Sequence, residues 1–125
     1  MTTNWDEDIV LANLADEPAL SDELGTILDR LEAMGSLEHR PHVVLDFSQV
    51  TYINSSNIAQ LLRLRQGTEE AGREMRLAGV GGDVLTVMRT TGLDRVLKFS
   101  PDTLTALASV QIDEGSGQGD ARENG

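Results

Sequence analysis

Short β-rich runs alternate with stretches of helical periodicity along this chain, and that alternation restricts it to a layered α/β fold. Ile9-Val10-Leu11-Ala12-Asn13-Leu14 reads as a first strand. After Asp16-Glu17-Pro18, where proline suits a first helical turn, Leu20, Leu24, Ile27, Leu28, Leu31 and Met34 recur at three- and four-residue steps, a helix ending near Gly35. Pro41 breaks the chain before Val43-Val44-Leu45-Asp46-Phe47, short and β-branched enough for a buried central strand. A second helix is predicted from Ser55 to about Gly72, with Ile58, Leu61 and Leu62 on its core face and Gln60, Arg63 and Gln66 opposite; Leu64 falls off that stripe and fits a broader core face or a partner anchor.

Met75-Arg76-Leu77-Ala78-Gly79-Val80 supplies a third strand, and Asp83 can cap a third helix carrying Val84, Val87 and Met88. Gly92 followed by Leu93 fits a left-handed helix end. Val96-Leu97-Lys98-Phe99 gives a fourth strand, and Ser100-Pro101-Asp102 opens a last helix through Leu104, Leu107 and Ala108. The expectation is one α/β domain over residues 8–112, with about four largely parallel strands and about four helices. It follows an N-terminal extension, 1–7, and precedes an acidic, glycine-rich tail, 113–125, that has no apolar periodicity and is expected to be disordered.

The composition limits the chemistry. A chain of 125 residues suits one domain, and the absence of cysteine removes disulfides, thiolate nucleophiles and cysteine-held metals. The net charge of −11 repels nucleic-acid backbones and anionic lipid, so direct nucleic-acid binding is not expected. The charge is uneven: residues 1–38 hold ten acids against Arg30 alone, net −9, whereas residues 56–99 hold seven bases against five acids, net +2. That split suggests one repulsive face and one docking face, or simply a solvated acidic surface. The longest apolar run, Ile9–Ala12, is far short of the roughly 20 residues that span a bilayer, and the start has no basic signal-peptide region. A cytoplasmic protein without membrane insertion is expected.

Motifs for catalysis are weak. His39 and His42 flank Pro41 beside Glu38, but in what reads as an exposed irregular loop, and no metal is assigned there. Gly79-Val80-Gly81-Gly82-Asp83 follows a strand and opens a helix, yet lacks the last glycine of a dinucleotide fingerprint and the Gly-Lys-Ser/Thr of a phosphate loop, so it reads as a tight turn. A nucleotide-binding enzyme would rest on those glycines alone. No nucleophile elbow occurs, and the carboxylate pairs Asp6/Asp8, Asp16/Glu17 and Glu69/Glu70 fall on solvent faces or caps. No catalytic residue, metal or cofactor is assigned, and the chain is expected not to be an enzyme.

The segment from Val43 to Ile58 stands apart: it passes from a strand through a turn and presents Ser55 and Ser56 at the start of a helix. By itself the pair has a plain explanation, since serine oxygens satisfy free N–H groups of a first helical turn. The same segment resembles the signature of STAS domains, the fold of bacterial anti-sigma-factor antagonists and of the cytoplasmic tails of sulfate transporters. That pattern is an apolar strand, Asp-x-Ser/Ala-x-Val-x-x-Ile, then Asp-Ser-Ser/Thr-Gly and a leucine-rich helix. Asp46-Phe47-Ser48-Gln49-Val50-Thr51-Tyr52-Ile53 matches its first part, and Gly72 to Val80 and Thr91-Gly92-Leu93 resemble later family phrases.

The resemblance, over about residues 8–112, implies an anti-sigma-factor antagonist that acts by partner switching. An anti-sigma factor that is also a serine kinase binds the domain and phosphorylates the second serine of the pair, which carries over to Ser56. The expected partner surface is Asn54, Ser55, Ser56 and Asn57, continuing along the second helix through Gln60 and Arg63. Asn54 stands where the family has aspartate and Asn57 where it has glycine. The family's Gly-x-Leu-Asp phrase is reduced here to Asn13-Leu14-Ala15-Asp16, with only one strand expected before the first helix. These departures suit the alternative, a constitutive, non-phosphorylated interaction subunit of a stressosome-type scaffold or lipid-transport complex.

Overall fold

The computed structural model describes residues 2–34 and 40–119. Its order is β1 (Thr2–Trp5), β2 (Ile9–Ala15), α1 (Ala19–Met34), β3 (His42–Gln49), α2 (Ser55–Glu70), β4 (Met75–Ala78), α3 (Gly82–Thr90), a 3-10 turn (Leu93–Arg95), β5 (Lys98–Ser100) and α4 (Thr103–Gly119). The strands form one sheet in the order β1-β2-β3-β4-β5. β1 runs antiparallel to β2, while β2–β3, β3–β4 and β4–β5 are parallel.

Parallel neighbours need a crossover, and α1, α2 and α3 supply the three. Leu20, Leu24, Ile27, Leu28 and Leu31 of α1 pack with Leu61 and Leu64 of α2 and Val84 and Met88 of α3. They cover Ala12, Leu14, Val43, Leu45, Phe47 and Leu77 of the sheet. On the other face Val44 and Ala78 meet Ala106 of α4, with Leu107 alongside. β3, central in the order, is therefore buried on both faces, as its near-continuous apolar sequence requires.

Several expectations need correction. The largely parallel sheet of about four strands is as expected, with one strand more: Thr2–Trp5 pairs with β2 in the register Thr2↔Asn13 to Trp5↔Val10, so two strands, not one, precede α1, and the first lies within the expected extension. Trp5 anchors this edge: it packs against the core, and the Arg30 guanidinium lies 4.0 Å from its ring centre. In α2 the buried positions are Asn57, Leu61, Leu64 and Thr68: Leu64 extends a broader core face, as one of its two readings has it, whereas Leu62, expected in the core, is exposed. Asp83 lies in the first turn of α3, whose N-cap is Gly81. Leu104, expected on the apolar face of the last helix, is 77% exposed, while Ala106 and Val110 are buried. That helix continues through Gly119, past the Ile112 boundary, and residues 120–125 of the expected tail lie outside the described residues.

Gly92 has φ 80° and Gly72 φ 72°, both left-handed, at the ends of α3 and α2 where a stop was expected. Gly79, at φ 68°, has a further reason to be glycine: a Cβ there would lie 3.3 Å from Ser48 Cβ, where β3 and β4 leave the sheet side by side.

Candidate functional site

The carboxyl ends of β2 and β3 lie side by side, with register pairs running to Ala15↔Gln49, so the loop after β2 faces the loop after β3. Asp16 holds the second loop. Its Oδ1 accepts the Thr51 N–H at 2.8 Å and the Tyr52 N–H at 3.3 Å, and its Oδ2 accepts the Thr51 hydroxyl at 2.6 Å. These donors favour the charged form, the Thr51 hydroxyl most, and hold the Asp16 carboxyl below its ordinary range. Val50 and Ile53 are buried, which turns Tyr52 between them outward, 63% exposed.

Asn54, not a serine, caps α2. Its Oδ1 accepts the Asn57 N–H at 2.9 Å while Asn57 Oδ1 accepts the Asn54 N–H at 3.0 Å, a reciprocal capping box. Ser55 and Ser56 are the first two helical residues; both are exposed, and neither hydroxyl makes a hydrogen bond among the described residues. The plain explanation of the serine pair as caps is thereby corrected. The first turn of α2 carries no acidic residue of its own.

Glu17 brings a charge to this turn from the next loop. Its Oε2 accepts Asn57 Nδ2 at 3.0 Å and Asn54 Nδ2 at 3.3 Å, and its Oε1 accepts the Ser21 N–H at 2.8 Å and the Ser21 hydroxyl at 2.6 Å. Chiefly through the Ser21 hydroxyl, then the Ser21 N–H and the Asn57 amide, the Glu17 carboxyl is lowered to about 2.

The sequence-predicted residues are brought to one helix end, but not all to its surface. Ser55 and Ser56 face solvent, Asn54 is partly covered, and Asn57 is completely buried, its amide bonded to Glu17 and to the Asn54 backbone. One turn on, Gln60 Nε2 donates to the Ser21 carbonyl at 3.0 Å, and Arg63 pairs with Glu32 of α1 at 2.7 Å. Gln60 and Arg63 thus tie α2 to α1. Asp16, Glu17 and Thr51 join the site only in the fold, and in the sequence the adjacent acids of the β2–α1 loop are the one sign of them.

The remaining sequence candidates lie elsewhere. His42 is not in an exposed loop: it opens β3, is buried, and its Nδ1 accepts the Glu74 N–H at 3.0 Å. His39 falls outside the described residues, among which no group of three or more histidines and acids could hold a metal ion. Among the described residues no helix is long and apolar enough to cross a membrane.

The family profile of the STAS domain matches residues 10–106. An anti-sigma-factor antagonist (STAS) domain protein from Planctomyces limnophilus superposes with a TM-score of 0.73 at 18% identity, covering 88% of this chain and 97% of that one. RsbS from Moorella thermoacetica gives 0.72 at 15% identity over 92% and 97%. The STAS domain of the SulP transporter from Vibrio cholerae gives 0.69 at 18% over 91% and 89%. At such identities the likeness is one of fold, and it spans regulators and transporter domains alike. No curated protein sequence matches the chain. With the profile covering residues 10–106 and the helices packed on a five-stranded, mostly parallel sheet, the chain belongs to the STAS-domain family.

Proposed function

We propose that this chain is a cytoplasmic regulatory protein-binding module of the anti-sigma-factor-antagonist type, without enzymatic activity, and that Ser56 is its phosphoacceptor. The partner is an anti-sigma factor of the serine-kinase kind. The observation that carries the reading is the pair of unbonded, solvent-facing hydroxyls, Ser55 and Ser56, on a helix start whose backbone the capping box already holds, and the resemblance to the family pattern selects the second of the two. A kinase reaches such a hydroxyl without unfolding anything, and the free amides of a first turn tolerate the phosphate.

A phosphoryl group adds a charge of about −1.5 to −2 to a surface that a partner must desolvate, so it releases the partner without refolding the domain. Tyr52, exposed on a loop pinned by Asp16, extends the docking surface beside the serines, and rigid aromatic side chains contribute much of the energy of such interfaces. The experiment is mass spectrometry of the protein purified from its native host. Phosphate on Ser56 supports the switch.

A constitutive interaction subunit is the second reading. It is favoured by the Glu17 carboxylate on the Asn54 and Asn57 amides, a negative charge already present where a phosphate would arrive. If that reading is right, Ser56 is unmodified in the host and Ser56→Asp leaves partner binding unchanged.

A further inference from the structure

Asn54 and Asn57, the two departures from the family pattern, are joined through one atom. Both amides donate to Glu17 Oε2, at 3.3 and 3.0 Å, and each side chain also accepts the other residue's backbone N–H. A carboxylate at position 54 would face the Glu17 carboxylate within hydrogen-bonding range with no proton to share. A glycine at position 57 would empty a completely buried place and remove a donor. The amide pair and Glu17 are therefore one arrangement. The carboxylate that the cap position lacks comes instead from the loop that opens α1, where Glu17 Oε1 is fixed by Ser21.

We propose that Glu17 is a positioning residue of the Ser56 site: from the start of α1 it supplies the site's carboxylate and fixes the first turn of α2 through Asn54 and Asn57. The phosphoacceptor part of this inference rests on the reading of Ser56 above; the positioning part does not. One consequence is that the site spans two helices, so a partner that reads the start of α2 also meets Glu17 at the start of α1.

The test is amide hydrogen exchange, followed by NMR on the intact chain, in the wild type, Asn54→Asp, Glu17→Gln and the double variant. Asparagine and aspartate are equal as helix caps, so Asn54→Asp by itself would change little. Against Glu17 it sets like charges together and is expected to speed exchange at Asn57 and Ile58 at least about tenfold. Adding Glu17→Gln restores a pairing of one amide with one carboxylate in the reverse sense and is expected to return exchange to within about threefold of the wild type. Rescue of this kind is not expected if Glu17 only caps α1, because that role moves Ser21 alone. Glu17→Ala, which adds no like charge, is expected to speed exchange at both Ser21 and Asn57.

No effect of Asn54→Asp, no relief by Glu17→Gln, or unchanged Asn57 exchange in Glu17→Ala overturns the positioning role. The mass of Ser56 in the host is read separately. An unmodified Ser56 with a working charge swap overturns the phosphoacceptor reading while supporting Glu17, so the two fail independently.

Discussion

The Thr51 hydroxyl donates to Asp16 Oδ2 at 2.6 Å across 35 positions of sequence, tying the end of β2 to the loop that delivers α2. With the Thr51 and Tyr52 N–H groups also bound to Asp16, the loop is held by one carboxylate. Asp16→Ala is expected to speed amide exchange at Thr51 and Tyr52 roughly tenfold and to leave β3 protected. Exchange unchanged at those two amides would show that the buried Val50 and Ile53 hold the loop without it.

Glu17 adds to the pH dependence of stability on the acid side. Its carboxyl lies at about 2 in the folded chain against an ordinary 4.5, so its contribution is fully present above the ordinary value and is lost as pH falls from there through about 2. Glu17→Gln should flatten the fall of the unfolding midpoint over that window and leave the slope at neutral pH alone. An identical acid profile in the variant contradicts the lowered carboxyl.

Asn54→Ala removes the cap of α2 and is expected to cost about 1 kcal/mol, whereas Ser55→Ala, with no hydrogen bond to lose, should stay within about 0.5 kcal/mol. Denaturant unfolding measures both. The reverse ranking would return the cap to the serine.

Gly92→Ala forces a side chain into a φ of 80°. No atom lies within 4 Å of the new Cβ, so the cost is conformational alone, about 1 kcal/mol. An unchanged unfolding midpoint contradicts it.

The α/β alternation, α1, the buried β3, the start of α2 and the glycine ends were legible because each is written in local spacing. β1 was not: Thr2-Thr3-Asn4-Trp5 offers no alternation, and its strand character comes from pairing with β2. The core face of α2 is only half legible because two of its four buried positions, Asn57 and Thr68, are polar, so the apolar stripe through Leu61 takes in the exposed Leu62 and leaves Leu64 to a broader face. His42 looked like a loop residue because β3 begins one residue before its first valine. At the site, the serine pair was visible and its supports were not, since Asp16 and Glu17 reach the loop and first turn of α2 across 35 to 40 positions. The capping box is written in the three-residue spacing of Asn54 and Asn57, two amides that can each accept the other's backbone N–H.

Phosphorylation at Ser56 is the central claim, and the mass of the peptide carrying Ser55 and Ser56, from protein made in the native host, tests it most directly. Partner switching predicts a population carrying a single phosphate, localised to Ser56 by fragmentation and absent from Ser56→Ala. A peptide that remains unmodified in every growth state, in a folded protein still bound to its partner, would contradict the switch and leave the constitutive subunit in its place.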